Sequence, residues 1–115
     1  MDALTWALAT YRQRRIREDY FGVELFSEPG WDILLDLFIA HLQGRAVRQG
    51  VLGGENIIPA TTILRYARIL EKAGFIRRAR NPGDARQNDV TLSDKGIAAM
   101  HRLCAASPLR KVSGR

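Results

Sequence analysis

The chain has 115 residues, 46% hydrophobic and 26% charged, a balance that suits one globular domain and excludes a disordered chain. Eighteen Lys and Arg against twelve Asp and Glu leave a net charge of +6, which favours a polyanionic partner, nucleic acid or an acidic membrane surface. A single cysteine, Cys104, excludes an internal disulfide and fits a reducing compartment, and its expected role is that of a small buried apolar residue on a helix.

The N-terminal stretch MDALTWALATYRQRR carries its positive charges after its apolar residues, the reverse of a signal peptide. No apolar run approaches the roughly 20 residues of a membrane span. A soluble, cytoplasmic protein is expected. Residues 2–20 read as a helix, with Leu4, Leu8 and Tyr11 at near-helical spacing and no stop before Gly22. Arg12, Arg14, Arg15 and Arg17 fall around much of its circumference rather than on one stripe. A connector over 21–28 is expected to bury Phe21 and Phe26.

A second helix starts near Pro29, a residue suited to the first helical turn, and ends near Gly44. Trp31, Leu34, Leu35, Phe38 and Leu42 form one stripe, and Ile33, Leu37 and Ile39 widen it. A helix this apolar requires cover on more than one side and is the expected centre of the core. Next come a short extended piece at 46–49 and a short helix at about 51–56, weakened by Gly53 and Gly54 at roughly 1 kcal/mol each.

The helix Pro59–Ala73 is closed by Gly74, a residue favoured just past a helix C-terminus. Beyond it the pattern changes to strands: FIRRAR (75–80), a turn NPGDARQ (81–87) marked by Pro82 and Gly83, then NDVTLS (88–93). Ser93 sits where a helix cap is wanted, with Asp94 behind it. Ile97, Met100 and Cys104 line one face of a last helix that ends at Ser107-Pro108.

Helix 59–73 has two faces. Ile63, Tyr66, Ala67 and Leu70 form the core side. Ala60, Thr61, Leu64, Arg65 and Arg68 form the other. Arginine can donate two hydrogen bonds to a guanine edge, threonine can meet phosphates, base edges or a thymine methyl, and the small Ala60 permits close approach. The helix N-terminal amides favour phosphate. Alone, such a face is more often plain solvated surface. The hairpin that follows at once carries Arg77, Arg78, Arg80 and Arg86, with Lys95 just beyond. A long cation near a hairpin tip suits the minor groove, and Asp84 is placed to hold Arg86. A helix pair followed by a basic hairpin is the winged helix-turn-helix arrangement, mainly α with a small β-hairpin.

The segment PATTILRYARILEKAGFIRRARNPGDARQNDVTLSDKG, residues 59–96, resembles the MarR-type winged-helix family. Its first part resembles the family's recognition helix and following strand. Asp84, Arg86, Val90, Leu92 and Gly96 fall in register with the wing pattern, with Ser93 in place of threonine. The segment EPGWDILLDLF (28–38) resembles the central helix more weakly. Asn81 stands where the family favours Asp, and Ile57 where its turn often has Gly.

The resemblance implies a transcriptional regulator that binds a pseudo-palindromic operator as a homodimer. Thr61, Thr62, Arg65 and Arg68 would contact the major groove or its phosphates, and Arg86 would reach the minor groove. Thr62 serves equally as a packed residue. Many relatives sense small molecules; no residue here identifies such an effector. The expected organisation is an N-terminal helix and connector, 1–28, as a candidate dimerisation element, a winged helix-turn-helix at 29–106, and a basic disordered tail at 107–115. Leu4, Trp6, Leu8 and Tyr11 read equally as dimer contact or as core.

No enzyme, cofactor or metal site is expected. His41 and His101 lack neighbours that suggest a triad, the Cys and His spacing suits no metal, and Gly50, Gly53 and Gly54 lie outside any phosphate-loop pattern. The rival reading is a winged helix used as a protein-interaction module, with Leu64 as anchor. RNA binding ranks last, because the nine aromatics sit mostly on helices.

Overall fold

The computed structural model describes residues 1–23, 27–52 and 58–107. Its elements are α1 (Ala3–Phe21), α2 (Pro29–Leu42), β1 (Val47–Arg48), a single 3-10 turn (Gln49–Val51), α3 (Ala60–Lys72), β2 (Ile76–Asn81), β3 (Asp84–Leu92) and α4 (Asp94–Ala106). Phe26, most of the short helix expected at 51–56, and the tail beyond Ser107 lie outside the described residues.

Helix α2 is the centre of the core. Ile33, Leu35, Leu37, Phe38, Ile39 and Ala40 are buried, and α1, α3, α4 and β3 all pack against it. Trp6 joins from α1, with its ring edge-on to both Trp31 and Phe38. That decides one open question in part: Trp6 is core, Leu4 and Tyr11 are half-buried against it, and Leu8 is exposed. Met100 and Cys104 close the core from α4. Phe21, expected to be buried, is instead 61% exposed. The helix runs one residue further than expected, to Phe21, and Gly22 ends it at φ 92°, so Phe21 stays on the last turn rather than in a connector folded back on the core.

The seam between α1 and α2 holds an ionic cluster that the sequence pattern did not announce. Asp32, in the first turn of α2, is 1% exposed. Its Oδ1 accepts from Arg14 Nε at 2.8 Å and from Arg15 Nη2 at 2.8 Å. Glu28 stands 3.4 Å from Arg14, and Glu18 is 3.1 Å from Arg15. At least two of the four scattered arginines of α1, Arg14 and Arg15, are therefore engaged in this seam.

The sheet is antiparallel in the order β1-β3-β2. Val47 pairs with Val90, Arg78 with Val90 from the other side, and Ile76 with Leu92. Side chains alternate between faces along a strand. Val47, Ile76, Val90 and Leu92 are buried and mark the inner face; Arg48, Arg77, Ala79 and Thr91 are exposed. The expected seven-residue turn at 81–87 is shorter. Strand β3 already begins at Asp84, because Pro82-Gly83 closes the hairpin with two residues.

Candidate nucleic-acid interface

Helix α3 begins at Ala60, with Pro59 as its cap residue, and no side chain caps its first amides. Ile63 and Ala67 are buried, while Tyr66 and Leu70 are half-buried against the core. This orients the opposite face outward. Ala60, Thr61, Arg65 and Arg68 are exposed, and Thr62 and Leu64 are half-buried. The Arg65 guanidinium rests 5.3 Å from the Tyr66 ring centre. Thr61, Leu64, Arg65 and Arg68 line one shallow hollow with Ile69 and Lys72.

The helix ends as Gly74 predicted. Its φ is 87°, the Gly74 amide donates to Glu71 O, and the Phe75 amide donates to Leu70 O. This hydrogen-bond pair is the Schellman termination, which turns the chain directly into β2. The corner is held from beneath by α4. Ser93 N donates to Phe75 O at 3.0 Å, Lys95 Nζ donates to Ala73 O at 2.8 Å, and the Lys95 ammonium lies 4.5 Å from the Phe75 ring centre. Ser93 Oγ accepts from Gly96 N, the helix cap expected from sequence.

The hairpin tip is organised by Asn81. Its Oδ1 accepts from Gly83 N at 2.8 Å and Asp84 N at 3.1 Å, and its Nδ2 donates to Asp89 Oδ1 at 3.0 Å. An aspartate could accept the two amide bonds but could not donate to Asp89, and it would set two carboxylates side by side. Asparagine at this position is matched to Asp89. Asp84 Oδ1 accepts from the Arg86 amide at 3.0 Å and lies 3.3 Å from Arg86 Nε. The Arg86 side chain stays 91% exposed despite that contact.

Arg86 and Asn88 share a hollow with Ala60 and Leu64 of α3 and with Arg48 of β1, so helix and ribbon face one concavity. Arg80 is exposed near the tip. Arg77, paired with Thr91, lies on the outer face of the sheet, away from α3. Arg78 differs most from the sequence grouping. Alternation places it on the inner face beside Ile76, and its guanidinium is engaged by Glu71 of α3. Nε donates to Oε2 at 3.0 Å and Nη2 to Oε1 at 2.7 Å. The hydrogen bonds from Arg78, aided by the charges of Arg78 and Arg68, hold the Glu71 carboxyl below the usual carboxylate range against partial desolvation. The same hydrogen bonds push Arg78 further up. Period-two alternation was the available signal: a residue two along from a buried isoleucine shares its face.

No protein-family model matches the chain, and no curated protein does. Solved structures do. The chain is similar to AF1382 from Archaeoglobus fulgidus, with a TM-score of 0.59 and 19% identity over 72% of this chain and 89% of that one. It is similar to a probable transcriptional regulator from Pseudomonas aeruginosa, with a TM-score of 0.52 and 24% identity over 89% and 86% of the two chains. It is also similar to MepR of S. aureus in complex with DNA, with a TM-score of 0.53 and 18% identity over 91% and 70%. At these identities the likeness establishes the fold, a winged helix, mainly α with a small antiparallel sheet.

Proposed function

We propose that the chain is a sequence-specific double-stranded DNA-binding transcriptional regulator of MarR type, acting as a homodimer. Recognition helix 59–73 enters the major groove, and wing 77–90 reaches the minor groove. The observation that carries this reading is the exposed Arg65 and Arg68 on α3 next to a ribbon whose Arg80 and Arg86 are also exposed. Among the described residues, no acid forms a salt bridge with Arg65, Arg68 or Arg80. That MepR, with the same fold, is seen on DNA supports the reading. Ala60 lets the helix approach closely, Thr61 and Thr62 serve phosphates or base edges, and Leu64 serves a thymine methyl. Arg77 meets phosphates from the ribbon's outer side, and Asp84 steers Arg86. The output is occupancy of DNA, with no covalent chemistry. A cytoplasmic location follows for a DNA-binding regulator, and no described helix is long and apolar enough to cross a membrane.

The test is selection of bound duplexes from a random pool at moderate salt. An enriched, two-fold symmetric site is expected, with half-sites centred about 34–36 Å apart. Recovery of random sequence would end the claim of specificity. On the selected site, Arg65→Ala is expected to cost about 1–3 kcal/mol and to relax preference at one base position. Unchanged affinity and preference would remove Arg65 from the reading head. An apolar protein-interaction surface would keep its affinity as salt rises, whereas DNA binding loses it steeply.

We assign the dimer contact to the outer side of α1. Leu8, Arg12, Ile16 and Tyr20 follow at four-residue spacing, so they share one side of the helix, and the three apolar members are exposed, Tyr20 by 81%. Leu103 of α4, which packs beside α1, is exposed as well. Ile16→Asp is expected to convert a dimer to a monomer in sedimentation while leaving the far-ultraviolet spectrum intact. A monomeric parent protein, or a variant that still dimerises, would refute this assignment.

A further inference from the structure

We propose that Arg78 is a positioning residue: clamped to Glu71, it fixes the angle between recognition helix and wing so that both engage one duplex, and it makes no DNA contact itself. The proposal rests on the DNA-binding reading above and reassigns one of the arginines that the sequence groups with the contacts.

Three observations carry it. The first is geometry. Two parallel N–H···O bonds of 3.0 and 2.7 Å between a guanidinium and a carboxylate fix distance and plane together, which a single contact cannot do. The second is location. The strand pairing puts Arg78 opposite Val90, on the face of the sheet that packs against the helices, so its guanidinium emerges toward α3 rather than toward the outer surface used by Arg77.

The third is charge. Glu71 is an anion on the helix offered to a polyanion, where a free carboxylate would oppose binding. Paired with Arg78, its charge is neutralised and becomes a joint. The corner at 73–75 is pinned to α4, yet the Glu71–Arg78 pair is the one salt bridge between α3 and the ribbon among the described residues.

The experiment measures binding of a labelled random-sequence duplex across a salt series for the parent protein, Glu71→Gln, Arg78→Gln and the charge-swapped double variant Glu71→Arg with Arg78→Glu. Removing a negative charge alone strengthens association with DNA. If the pair is a clamp, Glu71→Gln nevertheless binds about tenfold more weakly, the size of coupling expected between groups in one network. Its log–log salt slope becomes shallower by about 0.9 for each phosphate the wing no longer reaches. The swap recovers most of the loss.

If Glu71→Gln binds as tightly as the parent or more tightly while Arg78→Gln weakens binding, Arg78 is a phosphate contact that Glu71 merely competes for, and the proposal falls. A DNA-free measurement keeps the clamp separate from the function. Spin labels on cysteines replacing exposed Ile69 and Ala85, in a Cys104→Ala background, report the helix-to-wing distance. The distribution is narrow in the parent and broadened by Glu71→Gln; equal widths overturn the clamp. A parent protein that binds no duplex defeats the functional reading, and the distance distributions then judge the clamp alone.

Discussion

Asp32→Asn is expected to lower the free energy of unfolding by about 3–5 kcal/mol, the usual cost of removing one partner from a buried ion pair. The carboxylate is 1% exposed and Arg14 is 2% exposed. Both donors arrive at one oxygen, Oδ1, so a neutral amide there leaves two guanidinium groups facing a partner without charge. Glu28 and Glu18 stay beside Arg14 and Arg15 and offset part of the loss, which puts the expected value toward the lower end of that range.

Asp32 also sits in the first turn of α2, where the helix dipole favours an anion, and the amide forfeits that too. Urea unfolding followed by circular dichroism measures the effect. A loss under about 1 kcal/mol would mean the seam is open to water and screened. Replacing Arg14 and Asp32 together, Arg14→Met with Asp32→Leu, is expected to cost less than Asp32→Asn alone, since the buried Arg14 charge goes with its partner, Arg15 keeps Glu18, and Glu28 is open to solvent.

Gly96→Ala is the second large effect, with an expected loss of about 2–3 kcal/mol and a fall in Tm of roughly 10 °C. A methyl at this position would collide with the Phe75 carbonyl oxygen and crowd the Leu92 side chain, 3.2 Å away. The obstacle is main chain, and that same oxygen accepts the Ser93 amide, so it cannot swing aside. The first turn of α4 would have to lift off the base of the sheet. A thermal melt equal to the parent's would show that the corner yields more easily than its hydrogen bonds imply.

These two residues also mark how far the sequence could be read. Gly96 stood out by its register with a family pattern, but the reason for a glycine there is a backbone 21 residues earlier, which no local rule supplies. Asp32 lies in sequence within the apolar run of α2. Its burial depends on Arg14, 18 residues away, and pairing across such a distance has no periodic signature.

Local chemistry was legible where the chain itself sets the outcome. The i, i+4 spacing of Ile63 and Ala67 set the buried side of α3, Gly74 its termination, and Ser93 the start of α4. The candidate interface was legible as a group of cations and not as individuals. Sequence shows which residues are charged, while Arg14, Arg15 and Arg78 are separated from Arg65, Arg68 and Arg80 only by which acids the fold brings near. Strand β3 begins earlier than the sequence pattern indicates for a simpler reason: polar residues 84–88 resemble a loop, and two turn residues are enough.

Among the described residues the strand order leaves β1 and β2 as the margins of the sheet, and each discourages a stray chain from adding itself. One margin, β1, is only two residues long and offers almost no template. The other, β2, carries two exposed arginines, Arg77 and Arg80, among its six positions, so two such ribbons meeting side by side repel before their main chains can pair. Stripping positive charge from β2 to weaken DNA binding would therefore also remove a guard against fibre growth, and neutral variants of this ribbon should lose solubility along with affinity.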